Sequence, residues 1–268
     1  MELLQKVAET IGKIKGQKPL VHHITNYVTA NDCANITLAA GASPVMAGDP
    51  AEAEDMVQLA ASLVLNIGTL NASSVAAMLA AGKRAISRGI PVVFDPVGAG
   101  ATPYRTATAR QIISEVRPTV VRGNMSEIKT LLGLAVQTKG VDSTADEADG
   151  AAVAEALAAR LGCIVAVTGK TDVIAGQNRS CRIDNGHPLL ADVTGTGCMA
   201  TSLVGACCAA ADDPFVGTVA GIALMGIAGE LAQKTLQPGE GIGTFRIRLF
   251  DAVSRMTPED ILREGKIS

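Results

Sequence analysis

Pro91-Val-Val-Phe-Asp-Pro-Val-Gly-Ala-Gly100 reads as a strand that is apolar on both faces, ends on a carboxylate and leaves through glycine. A run without polar alternation belongs to a parallel sheet covered by helices on both sides. In such a sheet ligands meet the carboxyl ends of the strands, which makes Asp95 a candidate site residue. A carboxylate buried there needs a cation or hydrogen-bond donors, and Gly98 and Gly100 expose backbone N–H groups beside it. The competing reading makes Asp95 a turn residue ahead of Pro96.

Outward from this stretch, short β-rich runs alternate with helical patterns. Strands are expected at 20–24, 43–46, 63–67, 92–94, 119–122, 164–168 and 172–175. Helices are expected at 27–40, 50–60, 71–88, 104–115, 126–132 and 145–161, after an amphipathic N-terminal helix MELLQKVAETIGKIKG. From about residue 196 the pattern is all helical, at 197–211, 214–234, 241–256 and 258–264. The expectation is an α/β fold with a mostly parallel sheet and a helical C-terminal part. A polar loop is expected at 138–150, and with no linker or repeat the whole of 1–268 reads as one domain. Gly217, Gly221 and Ala228 recur at spacings that let two helices approach closely.

The 268 residues are 48% hydrophobic and only 2% aromatic, which excludes a disordered chain and points to a core of small aliphatic side chains. A formal charge of −3 leaves no basic footprint for nucleic acid. The six cysteines, at 33, 163, 181, 198, 207 and 208, include no C-x-x-C pair. They read as reduced thiols of a cytoplasmic protein, with neither a zinc cage nor a disulfide framework. The apolar stretch 216–229 is shorter than the roughly 20 residues that span a bilayer, so no membrane partner is expected. A small-molecule partner remains.

Three further segments carry chemistry. Asp192-Val-Thr-Gly-Thr-Gly-Cys-Met-Ala200 is read as leaving an extended stretch and opening an Ala-rich helix. Its glycines allow close approach of a ligand, and the free N–H groups of the helix start would stabilise an anion; the alternative is a turn that merely starts a helix. Arg122-Gly-Asn-Met-Ser-Glu127 follows another β-rich run. Asn124 and Glu127 have the spacing of a capping box, while Glu127 could also join Asp95 in holding Mg²⁺ through waters and Arg122 could contact phosphate. His22-His-Ile-Thr-Asn-Tyr-Val-Thr29 crowds polar groups at the end of the first strand. The two histidines point to opposite faces and read as structural, Asn26 is a candidate substrate contact, and His187 is expected in a solvated loop.

Two superficial matches fail. Gly195-Thr-Gly-Cys-Met-Ala200 fits the relaxed dinucleotide pattern, but only helices follow it, so no βαβ unit is completed. Gly169-Lys-Thr171 lacks the first glycine of a Walker A loop, since position 164 is Ile. Glycine turns, two carboxylates and an arginine at separate strand ends suit phosphoryl transfer better than hydride transfer.

VHHITNYVTANDCAN (21–35), SPVMA (43–47), PVVFDPVGAGAT (91–102), RGNMSEI (122–128), VTGKTDVI (167–174) and DVTGTGCMA (192–200) together resemble the hydroxyethylthiazole kinase family. The resemblance implies a ribokinase-like three-layer α/β/α fold, with ATP and Mg²⁺. It also implies phosphorylation of the primary alcohol of 4-methyl-5-(2-hydroxyethyl)thiazole by a homotrimer with active sites between subunits. Carried onto matching positions, Asn26, Met46, Gly195 and Cys198 would meet the thiazole, and Arg122, Asn124 and Thr168 would contact ATP. Asp95 and Glu127 would organise Mg²⁺. Thr194, Gly195, Thr196, Gly197 and Cys198 would surround the transferring phosphoryl group. Many related kinases end this turn in Asp, which would favour a pyrimidine or sugar alcohol. Here it is Cys198, whose place at a helix N-terminus is expected to lower the thiol's pKa and allow it to act as a base, with a modest contribution.

Overall fold

Parallel pairing of the apolar runs produces one mixed sheet in the computed structural model, which describes residues 2–134 and 143–268. The strands are β1 (Leu20–Ile24), β2 (Ser43–Met46), β3 (Ser62–Asn66), β4 (Val92–Asp95), β5 (Val120–Asn124), β6 (Ile164–Thr168), β7 (Asp172–Gly176) and β8 (Arg179–Ile183). Their order is β2-β1-β3-β4-β5-β6-β7-β8. The first six run parallel, and β7 and β8 are antiparallel additions at one edge.

Helices cover both faces. Under one lie α3 (Ala53–Val57), α4 (Ala72–Ser87), α5 (Pro103–Val116), α6 (Met125–Leu132) and α7 (Ser143–Leu161), packed on Leu63, Leu65, Phe94 and Val165. On the other lie α1 (Glu2–Gln17), α2 (Ala30–Ala39), α9 (Thr196–Ala210), α10 (Pro214–Lys234), α11 (Ile242–Arg255) and α12 (Pro258–Glu264), packed on Val21, Val64, Val93 and Ala166. A four-residue helix, α8 (Leu189–Asp192), precedes α9. The expected α/β/α layering is therefore present, and residues 63–65 and 92–94 alternate between two separate cores.

Local chemistry sets the element ends. Thr102 caps α5 by accepting from Arg105 N, with Pro103 in the first turn. Thr257 and Asp260 form a capping box at α12. α9 and α10 cross with almost no side chain between them. A Cβ on Gly221 would lie 2.5 Å from the Val204 backbone, and one on Gly217 would lie 2.7 Å from Cys208 Cα, which is the close approach expected from their spacing.

Several expectations change. β3 begins and ends one residue earlier than 63–67, which puts Asn66 at its tip beside Asp95 in register. β8 was not foreseen, because Arg-Ser-Cys-Arg-Ile is a polar edge strand closed by a tight turn from β7. α2 starts at Ala30, since residues 27–29 turn before the helix. The stretch ahead of Gly195 is not a strand: α8 occupies it through Asp192, and Val193 follows in an extended conformation. The polar loop expected at 138–150 falls partly outside the described residues, and from Ser143 onward the chain is already helix α7. α10 runs for 21 residues, long and apolar enough by length and composition to cross a membrane, contrary to the reading of 216–229 alone. It is instead a core helix, with 89% of its apolar window buried.

Gly221→Val should lower stability by about 3 kcal/mol or more, because neither backbone at the α9–α10 crossing has room to retreat. Thermal unfolding reads this, with Gly16→Ala on open α1 surface as a control that is neutral or slightly stabilising.

Candidate active site

The parallel strands β1, β3, β4, β5 and β6 deliver their carboxyl ends to one edge, so polar residues distant in sequence become neighbours. Asn66 pairs in register with Asp95, and Asn124 pairs with Thr168. Asn26 lies just beyond β1, and the start of α9 crosses over this edge.

Asp95 is 1% exposed. Its Oδ2 accepts from Thr201 Oγ1 at 2.7 Å and from Asn66 Nδ2 at 3.1 Å, while Arg122 Nη1 lies 3.8 Å away. Its Oδ1 has no partner. Burial pushes this carboxyl up to about 6; the Arg122 guanidinium and the two donors pull it back, while the Glu127 charge adds to the rise.

Arg122 reaches from β5 toward α9. Its Nη2 donates to Thr168 Oγ1 at 2.7 Å, and its Nε is buried without a partner. A Cβ on Gly197 would stand 2.9 Å from Nη1, so glycine there makes room for the guanidinium. Asn124 and Glu127 form the capping box of α6: Asn124 Oδ1 accepts from Glu127 N, and Glu127 Oε2 accepts from Asn124 N. Glu127 Oε1 accepts from Gly98 N at 2.8 Å, which joins the β4 and β5 exits. Capping leaves each carboxylate oxygen a second lone pair, so the structural and ligand-holding readings of Glu127 are compatible.

The glycine turn is built for close approach. Gly195 adopts φ +91°, and a Cβ there would strike Thr29 Cγ2 at 2.7 Å. It precedes α9 without any side-chain cap, leaving the N–H groups of Thr196, Gly197 and Cys198 without intrahelical acceptors. The Thr196 hydroxyl is used internally, donating to Leu190 O at 2.7 Å, and Thr194 is exposed. Beside the turn opens a cavity of about 500 Å³ whose lining includes Arg122, Thr168, Gly197, Asp172, Leu190 and Met225.

Cys198 differs from expectation. Burial, and next the Asp95 charge, raise its pKa, and hydrogen bonds from Thr29, Asn66 and Asn26 only partly offset them. At ordinary pH it is therefore a thiol rather than an activated thiolate. Its sulfur accepts from Asn66 Nδ2 at 3.3 Å and from Asn26 Nδ2 at 3.4 Å.

Asp95, Arg122, Thr168, Gly197, Cys198 and Asn26 thus converge directly. Met46 sits apart at the end of edge strand β2, 38% exposed and paired in register with His23. His22 and His23 are buried on opposite partners, Ala47 O and Ser202 Oγ. His187 is not fully solvated: it is half-buried, with its ring centroid 6.4 Å from that of Phe245, and it lines the cavity. Sequence reasoning missed Asn66 and Thr201. Ser-Leu-Val-Leu-Asn66 carries the same signal as Pro-Val-Val-Phe-Asp95, an apolar run ending on a polar side chain. Thr201, inside a helix of small residues, offers no such signal. Among the described residues no group of three or more His, Cys, Asp or Glu could hold a metal ion.

A family model described as the Hydroxyethylthiazole kinase family matches residues 11–259. A hydroxyethylthiazole kinase of Alkaliphilus oremlandii (strain OhILAs) is 50% identical over 268 residues, covering 100% of this chain and 99% of the relative. The solved structure of a hydroxyethylthiazole kinase from Pyrococcus horikoshii OT3 superposes with a TM-score of 0.88 at 37% identity over 98% of each chain. A ribokinase-like superfamily protein of Enterococcus faecalis V583 shares the fold, with a TM-score of 0.66 at 14% identity over 91% of this chain and 89% of that one. With the strand-end site and the glycine turn in the same frame, this chain belongs to the hydroxyethylthiazole kinase family.

Proposed function

We propose that this chain transfers the γ-phosphoryl group of ATP to the primary hydroxyl of 4-methyl-5-(2-hydroxyethyl)thiazole, yielding the thiazole phosphate used in thiamine synthesis and salvage. The carrying observation is the uncapped start of α9 facing the same edge as Arg122 and the buried Asp95. Phosphoryl transfer needs positioning and charge stabilisation more than covalent help from the protein. The N–H groups of Thr196, Gly197 and Cys198 suit an oxyanion at the transferring group, with Thr194 and Gly195 shaping the turn. Arg122, with its unmet Nε, and Thr168 suit the phosphates of ATP, and Asn124 orders the α6 start next to them.

Mg²⁺ fits this donor set. Asp95 offers a buried oxygen with no partner, and Glu127 keeps spare lone pairs. Few carboxylates plus waters and phosphate oxygens is the ligand set that this ion prefers. Asp95 and Glu127 would hold it, and when bound it neutralises charge developing on the phosphates.

Asn26, Gly195, Cys198 and Met46 are assigned to the thiazole side. A neutral Cys198 acts there by position, and the alcohol proton leaves to a phosphoryl oxygen as the new O–P bond forms and the bond to ADP breaks. A homotrimer with sites between subunits completes the proposal. Its support is the exposed apolar side chains next to Asn26, with Tyr27 83% and Val28 59% exposed. We assign the chain 1–268 to one kinase domain in the cytoplasm, consistent with six unpaired cysteines.

ADP release with ATP and Mg²⁺ tests the reading against three alcohols: hydroxyethylthiazole, hydroxymethylpyrimidine and ribose. Thiazole-dependent release that falls by about 10³-fold or more in Asp95→Ala is expected; release with another alcohol alone overturns the substrate. Cys198→Ala should keep turnover within about tenfold of the parent, since no base is removed. A loss as deep as that of Asp95→Ala, with nucleotide binding intact by calorimetry, would contradict the positional role.

A further inference from the structure

Asn66 ends β3 and is buried, yet the reaction outlined above makes no use of it. Main-chain donors settle how its amide is turned. Gly68 N, which can only donate, points at Asn66 Oδ1 from 2.9 Å, and Thr29 N fixes Asn26 Oδ1 in the same way from 3.1 Å. With both oxygens assigned by backbone N–H groups, both amide nitrogens face the opposite direction. Asn26 Nδ2 then donates to Asn66 Oδ1 at 2.9 Å and to Cys198 Sγ. Asn66 Nδ2 donates to Asp95 Oδ2 at 3.1 Å and to Cys198 Sγ at 3.3 Å.

Both amide hydrogens and both carbonyl lone pairs of Asn66 are therefore occupied. Its nitrogen bridges the carboxylate on β4 and the thiol on α9, two groups with no direct hydrogen bond to each other among those described. The loop that orients it is held from behind, where Arg105 donates to Ile67 O at 2.7 Å and to Gly68 O at 2.9 Å. A fully satisfied polar network of this kind fixes one geometry of its members.

We propose that Asn66 is a positioning residue for phosphoryl transfer, setting the separation of Asp95 from Cys198 and holding the Cys198 sulfur as a hydrogen-bond acceptor. The proposal rests on the kinase reading given above. A purely structural role, satisfying the Gly68 loop, would leave the thiol's behaviour and the chemical step untouched in folded variants.

Asn66→Leu keeps the side-chain outline and removes all four hydrogen bonds, and Asn66→Ala removes them without adding bulk or charge. The first readout is the rate of iodoacetamide alkylation at Cys198 against pH, followed by the mass of its peptide, with Cys198→Ser as blank. Loss of an N–H donor to sulfur disfavours the thiolate, so the midpoint moves to higher pH in both variants. The second is steady-state kinetics with ATP and hydroxyethylthiazole. There kcat falls by about 10²-fold, chiefly through the misplaced Asp95 carboxylate rather than the sulfur, while KM for ATP changes little, because Arg122 is oriented by Thr168 and not by Asn66. A midpoint that stays or moves to lower pH, or an unchanged kcat, overturns the proposal; if Asn66→Leu does not fold, Asn66→Ala decides. Alkylation needs no substrate, so absent thiazole turnover in the parent enzyme would overturn the kinase reading while the alkylation profile still judges Asn66.

Discussion

A carboxylate enclosed by protein, with one oxygen unmet, is the constraint on which the rest of this site depends. Asp95 is tolerable in that place because Thr201, Asn66 and Arg122 converge on its other oxygen. Each partner comes from a different element: α9, β3 and β5. The site therefore cannot exist before the sheet is assembled and α9 is laid across its edge. The α9–α10 crossing is part of the same requirement, since Gly217 and Gly221 let α10 sit almost in contact with the backbone that carries Thr201 and Cys198. Bulk at that crossing would tilt α9 and move its N–H groups away from the strand ends.

Groups that look like ordinary structural punctuation also carry chemistry here. Asn124 and Glu127 cap α6, yet Glu127 accepts from Gly98 N and so couples the β4 exit to the β5 exit. Gly195 makes a left-handed turn and thereby leaves α9 without a cap. An uncapped start is a structural defect in a helix that binds nothing, and an asset in one whose partner is a phosphoryl group. The raised pKa of Cys198 fits the same design, because a thiolate next to Asp95 would repel the incoming phosphates.

The layering and most strands were legible because parallel strands buried on both faces leave runs as plain as Val92-Val-Phe-Asp95. Asp95, Arg122, Glu127 and the glycine turn were legible for the same reason, standing where those runs stop. What escaped was set by tertiary context. β8 is polar, and it is held by β7 on one side and by the C-terminal residues Lys266 and Ser268 on the other, partners that its own sequence does not show. α8 is too short for periodicity to show. The one-residue shift of β3 hid Asn66, and Thr201 is indistinguishable from other small residues of α9 until α9 meets β4. The Cys198 thiol was misjudged because the helix terminus is visible in sequence, whereas the burial and the Asp95 charge that raise its pKa are not.

The central claim, that the site is organised around a buried and incompletely satisfied Asp95, is tested most directly by titrating that carboxyl. Carbon-13 NMR of aspartate-labelled protein, with Asp95→Asn to assign the signal, should show a carboxyl carbon titrating near pH 6, above the ordinary value of 3.8. Because the folded-state pKa is the higher one, stability from the protonated form is complete below about pH 3.8 and is lost as pH rises through about 6. A midpoint at or below 3.8 would contradict the account, since it would mean that Arg122 and the donors outweigh burial and that the carboxylate is already satisfied.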